Sequence, residues 1–84
     1  KIKDENGSTE LIDTKWGKQL KIGSSLSLIP FGGNCSFVSS KGLYYPLAGL
    51  TLTTADTRGI SNVVNSERVE IEISHGQSLV FYND

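Results

Sequence analysis

Eighty-four residues, 37% hydrophobic and 20% charged, suffice for one small soluble domain with a modest core, and a formal net charge of -1 gives no long-range pull toward nucleic acid or anionic lipid. No apolar run reaches the ~18 residues of a membrane span, and no basic-then-apolar signal peptide opens the chain. With one cysteine no internal disulfide forms, so a disulfide-stapled secreted scaffold is excluded and a cytoplasmic location is expected. The chain starts at Lys1 and contains no methionine, from which further residues are expected before Lys1.

Taken in chain order, apolar residues recur at period two, the spacing of strands buried on one face. After a polar segment from Lys1 to Gly7, ending in the hairpin signal Asn6-Gly7, strands are predicted over Thr9 to Lys15, Lys18 to Ile22, Ser25 to Phe31 and Cys35 to Ser39. Further strands are predicted over Leu43 to Tyr45, Gly49 to Thr53, Ile60 to Val64, Arg68 to Ser74 and Gln77 to Tyr82. Glycines at Trp16-Gly17, Gly23-Ser24, Gly32-Gly33-Asn34, Ser40-Lys41-Gly42 and His75-Gly76 mark the turns between them. Val69-Glu70-Ile71-Glu72-Ile73 is the clearest alternation, with Val69, Ile71 and Ile73 facing the core, since a slip of one residue buries two carboxylates. Leu20 with Ile22, Leu26 with Leu28 and Leu50 with Leu52 repeat it. The expected fold is all-β: a small antiparallel β-sandwich of eight or nine short strands across residues 1–84, without significant helix.

Few residues suit catalysis. Cys35 reads as a buried reduced thiol, and His75, the only histidine, as a solvated turn residue. Glu70 and Glu72 share a strand face, a pattern that serves either a solvated surface or a pair of oxygen ligands for Mg2+. No glycine-rich phosphate cradle with a following Lys and Ser/Thr is present, so this chain alone is expected neither to bind ATP well nor to transfer phosphoryl groups. Tyr44 and Tyr45, read as strand neighbours, place one ring in the core and leave the other to stack on a flat heteroaromatic ligand, with Pro46 ending the strand at its rim. Trp16 reads as a cover over the core. Ser61-Asn62 suits two roles: a turn or cap, or paired hydrogen bonds to an aminopyrimidine edge. The latter requires a strand end or bulge, because neighbours in a regular strand face opposite ways.

Three segments in order, Leu28-Ile29-Pro30-Phe31-Gly32-Gly33-Asn34-Cys35, Val38 to Leu47 and Gly59-Ile60-Ser61-Asn62, resemble the C-terminal thiamine-binding domain of thiamin pyrophosphokinases. The closing Leu79-Val80-Phe81 agrees in position, and the similarity runs from about Asp4 to the C-terminus. The resemblance implies a thiamine-binding β-sandwich belonging to a two-domain enzyme that transfers pyrophosphate from ATP to thiamine and releases AMP. It implies a homodimer with the site shared between subunits. Mg2+ and ATP would be held mainly by an N-terminal nucleotide-binding domain absent here, leaving this chain inactive alone and a weak thiamine binder. It assigns the thiamine pyrimidine to Ser61 and Asn62, with Arg58, Gly59 and Tyr45 as further contacts and no catalytic residue or metal ligand in the chain. The chain departs from the family pattern in three places: Tyr44 stands where lysine is usual, Thr53-Thr54-Ala55-Asp56-Thr57 replaces an aromatic residue followed by glycine and serine, and Val63 replaces an acidic residue. A non-catalytic β-sandwich serving as an interaction or dimerisation module is the alternative, motivated by the lack of a local catalytic cluster.

Overall fold

Along the two longest strands the buried positions change parity once, and that change organises the fold. In the computed structural model, which describes residues 2–3, 7–55 and 60–83, the elements are β1 (Ile2–Lys3), β2 (Ser8–Ile12), β3 (Lys15–Gln19), β4 (Ser25–Lys41), β5 (Thr51–Leu52), β6 (Ile60–Val63) and β7 (Arg68–Tyr82). In β7 the buried side chains are Val69, Ile71 and Ile73, then Ser78, Val80 and Tyr82; in β4 they are Leu26 and Leu28, then Cys35 and Phe37. A strand that moves its buried set from one parity to the other has passed through a bulge. Both strands do so at the same level, so each contributes to both layers of a sandwich.

The paired strands show the irregularity directly. Phe31 faces Gln77 and the next pair is Ser36 with His75, so β4 inserts extra residues at the corner, and further shifts follow at Phe37 and Ser39. Gly32 (φ 75°) and Gly76 (φ 79°) supply the left-handed conformations that this corner requires. At Gly76 even a methyl group would run into the carbonyl oxygen of Asn34 on the facing strand. The two glycine clusters expected to end strands therefore bend them instead. Four predicted strands merge into two, giving seven strands rather than eight or nine among the described residues.

All pairings are antiparallel. One layer carries β1, β2, the C-terminal half of β7, the N-terminal half of β4, and β6; the other carries β3, the N-terminal half of β7, the C-terminal half of β4, and β5. Between them lie Ile12, Leu26, Leu28, Phe37, Leu47, Leu52, Val64, Val69, Ile71 and Val80, each at most 2% exposed. Burying one such side chain contributes roughly 1.5 to 3 kcal/mol. The alternation predicted for residues 69–73 and for Leu26 with Leu28 is present, and Leu52 is buried with Leu50 packed against the core. Ile22 is not in the core: β3 spans Lys15–Gln19 rather than Lys18 to Ile22, and Ile22 is 60% exposed beyond its end. Gly17, expected in a turn, lies mid-strand, where the Arg68 guanidinium covers the space a side chain would fill. The short β1 lies in the polar N-terminal segment, where period-two patterning predicts no strand; it pairs with β2 through Ile2 with Thr9 and Lys3 with Ser8.

Where β2 and β3 leave the sandwich open at one side, a polar clasp joins the layers. Glu10 accepts hydrogen bonds from Trp16 Nε1 (3.2 Å) and from the Tyr82 hydroxyl, and Lys18 Nζ lies 3.6 Å from its carboxylate. Trp16 and Tyr82 pack ring to ring at 5.5 Å, with the Lys18 ammonium 5.6 Å from the Tyr82 ring centre. Trp16 is thus the core cover expected of it, anchored at its polar edge. Burial, and then the bond to Glu10, raises the Tyr82 phenol above its ordinary value. Because the fold accepts the neutral phenol, this stabilisation is complete below the unfolded value of about 10 and is lost as pH rises through the higher folded value. Unfolding midpoints are expected to drop more steeply above about pH 10 in the wild type than in Tyr82→Phe; parallel curves would contradict the clasp.

Cys35 is fully buried, as expected, and burial pushes its thiol up. A thiol reagent is expected to modify it only at the rate of unfolding, so fast stoichiometric labelling of native protein would show that this part of the core opens.

Candidate functional site

The predicted ligand residues meet at one end of the sandwich, where the chain crosses from one layer to the other. β4 ends at Lys41 against Glu70, and Gly42 (φ 82°) turns so tightly over the Arg68 carbonyl that any side chain there would collide with it. Leu43 then makes an isolated bridge with Val64, just past β6. Tyr44 N–H donates to Val63 O (2.8 Å) and Asn65 N–H to Gly42 O (2.9 Å). Segment 42–45 thereby covers the edge of β6 that β4 leaves free.

Asn62 completes this pairing with its side chain. Its Oδ1 accepts from Tyr45 N–H (3.0 Å) and Val63 N–H (2.9 Å), and its Nδ2 donates to Tyr45 O (2.7 Å). An amide side chain has the donor and acceptor of a peptide group, so here it substitutes for the strand neighbour that Tyr45 lacks. Asn62 is only 3% exposed. Its amide, expected to be open toward a ligand edge, is therefore engaged with the backbone of Tyr45, which accords with the capping role that the sequence left open.

Ser61 faces the other way. β6 pairs regularly with β4, Ser61 opposite Ser27 and Asn62 opposite Leu26, so the pair straddles the sheet with Ser61 exposed on its outer surface. No bulge brings the two side chains to one face within β6. Arg58 and Gly59, with Asp56 and Thr57 of the divergent 53–57 loop, lie outside the described residues. On the near side of that loop, Thr54 N–H donates to Asn34 Oδ1 (3.1 Å), tying it to the corner of β4.

The tyrosines depart furthest from expectation. Leu43 to Tyr45 is not a strand, so neighbours do not alternate between core and surface. Tyr44 and Tyr45 are 63% and 58% exposed, and their rings meet edge to face at 4.8 Å and 88°. The core residues of this segment are Leu43 and Leu47, 6% and 1% exposed, which pin the segment at both ends. Leu47 is held again by its N–H to Ser40 Oγ (2.9 Å). Gly42 and Pro46, which frame the segment in sequence, signalled that it is irregular; the anchoring role of Asn62 depends on a contact across 17 residues that no local pattern carries.

The outer surfaces of the two layers differ in chemistry. Outward from the layer holding β6 lie Thr9, Leu11, Ser25, Ser27, Ile29, Phe31, Ser61, Val63, Gln77, Leu79 and Phe81, none of them charged. Leu11, Phe31 and Val63 are 47%, 49% and 42% exposed. The opposite surface carries Lys15, Lys41, Arg68, Glu70 and Glu72 around a cavity of about 360 Å3. Glu70 and Glu72 thus sit on a solvated face among basic residues, with Arg68 Nε 3.5 Å from Glu70, an exposed pair worth little. Among the described residues, no three of His, Cys, Asp and Glu converge as a metal site. None of those residues forms a helix long and apolar enough to cross a membrane. His75 lies exposed at the corner, within β7 rather than in a separate turn.

Comparison with known proteins gives two results that agree. The sequence family described as "Thiamin pyrophosphokinase, vitamin B1 binding domain" matches residues 11–78. Solved structures share the fold, two thiamine pyrophosphokinases among them. Thiamine pyrophosphokinase from Bacillus subtilis superposes with a TM-score of 0.81 at 20% identity, over 95% of this chain and 39% of the other. Thiamin pyrophosphokinase from Geobacillus thermodenitrificans superposes with a TM-score of 0.83 at 17% identity, over 99% and 40%. The chain thus spans about two-fifths of the length of these relatives. No curated protein matches it by sequence.

Proposed function

Because the chain belongs to the family of thiamin pyrophosphokinase vitamin B1 binding domains, we propose that it binds thiamine and serves thiamine diphosphokinase activity, the transfer of pyrophosphate from ATP to thiamine with release of AMP. The observation that carries this is the rim at 42–47 and 60–65, where a clamped segment displays two exposed rings beside the Ser61 strand. On this reading Tyr45 stacks on the pyrimidine and Ser61 hydrogen-bonds it, while Asn62 contributes by fixing Tyr45 in place. Arg58 and Gly59 complete the proposed set.

The chain's task is positioning. A reaction between two bound partners gains a large part of its rate from being held in line, and a rigid rim supplies this for thiamine. On this reading the residues of the rim carry no chemical step of their own. Mg2+ and ATP belong on this proposal mainly to a further domain, and the chain alone is inactive. A cytoplasmic location is part of the same reading.

Assembly into a homodimer is proposed through the uncharged outer surface around Leu11, Ile29, Phe31, Leu79 and Phe81. A surface without charges meets its own copy across a two-fold axis without like-charge repulsion. Ser61 lies on that surface in the row Thr9, Phe81, Ser27, Ser61, which suits a site shared between subunits. The test of the activity uses the longest protein that carries this domain. With ATP, Mg2+ and thiamine it is expected to release AMP and thiamine diphosphate in equal amounts, and a folded dimer that releases none would overturn the proposal.

A further inference from the structure

Two aromatic rings on the rim are more exposed than a core or a cover requires, and their arrangement carries a ligand preference. Tyr44 and Tyr45 meet at 88° with centroids 4.8 Å apart, and an edge-on pair encloses a right-angled corner bounded by faces of both rings. The corner is built rather than incidental. Leu43 and Leu47 anchor it in the core, Asn62 holds both backbone polar groups of Tyr45, and Val63 O holds Tyr44 N–H. Rings presented on a fixed backbone lose little freedom when a ligand docks.

No residue of 42–47 or 60–65 is charged. A cation arriving there meets neither a repelling ammonium nor a carboxylate to pair with within these segments. What these segments offer a cation is the negative faces of the two rings, the means by which aromatic sites hold quaternary cations. We propose that the Tyr44–Tyr45 corner is a π-lined seat for a quaternary heteroaromatic cation, and that Tyr44 sets the preference of the rim for charged over neutral rings. This rests on the reading of the rim as the thiamine site, since thiamine carries such a cation in its thiazolium ring. It assigns to Tyr44 a specificity role separate from the stacking of Tyr45 on the pyrimidine.

The test titrates the chain with 3,4,5-trimethylthiazolium and with neutral 4,5-dimethylthiazole, following the Tyr44 and Tyr45 ring protons by NMR, with thiamine as a separate arm. The cation is expected to bind about fivefold more tightly than the neutral ring. Tyr44→Leu is expected to reduce that preference to about twofold or less, while Tyr44→Phe, which keeps the ring face, retains it. Equal binding of the two probes, or a preference unchanged in Tyr44→Leu, overturns the seat even if thiamine binds at the rim. A preference that Tyr44→Leu abolishes supports the seat, and thiamine binding no tighter than trimethylthiazolium would then count against the thiamine reading alone.

Discussion

Gly76→Ala is expected to destabilise the domain by about 2 to 5 kcal/mol, the sum of a left-handed backbone cost of about 1 to 2 and an overpacking cost of about 1 to 3. Gly76 has φ 79°, and a Cβ there meets the Asn34 carbonyl oxygen in the facing strand. Neither partner can move freely, because both belong to the corner through which β4 and β7 pass from one layer to the other. Gly23 provides the control: its φ is 93°, but a Cβ there has open space. Gly23→Ala should show only the backbone cost. Urea unfolding of the two variants separates the contributions, and equal losses would mean that close strand contact at the corner does not limit stability.

Asn62→Ala is expected to cost about 2 to 4 kcal/mol, because it removes three hydrogen bonds and leaves backbone groups of Tyr45 without partners in a partly buried position. The loss should be local as well as global. Amide exchange at Tyr45 is expected to accelerate well beyond that of β7, since the Leu43 and Leu47 anchors remain while the clamp between them is gone. Weaker thiamine binding should accompany it. If exchange at Tyr45 is unchanged and thiamine binding still falls, Asn62 acts on the ligand directly rather than through Tyr45.

The period-two patterning made the fold class and much of the core readable from sequence. Val69, Ile71, Ile73, Leu26 and Leu28 face inward as alternation requires. Strand count was not readable, because Gly32, Gly33 and Gly76 serve equally to end a strand or to bend one, and only the facing strand decides. A local pattern also cannot pair residues distant in sequence, which is why no periodicity carries the clasp of Glu10 with Tyr82, 72 positions apart. At the rim, the family resemblance points to Ser61, Asn62 and Tyr45. Their geometry followed from features that resemblance does not describe: a regular β6 that turns Ser61 and Asn62 to opposite sides, and a segment after Gly42 that is no strand, leaving both tyrosines exposed.

The two outer surfaces bear on how the domain is used. A sandwich solvated on both sides can carry charge on both, yet among the described residues the outward strand positions of the layer holding β6 are uncharged, while the opposite surface carries Lys15, Lys41, Glu70 and Glu72. The uncharged surface lies on the same layer as Ser61. Substituting Leu11→Glu together with Phe31→Glu is expected to leave the core intact, because both side chains are nearly half exposed, and to shift sedimentation toward monomer. Unchanged sedimentation would remove this surface from the proposed dimer.

The most direct measurement is a thiamine titration of the 84-residue chain followed by amide and aromatic NMR shifts. Weak, saturable shifts are expected at Tyr44, Tyr45, Ser61 and Val63, with the charged surface around Glu70 and Arg68 unaffected. Saturable shifts centred on that charged surface, or none at the rim at millimolar thiamine, would contradict the account.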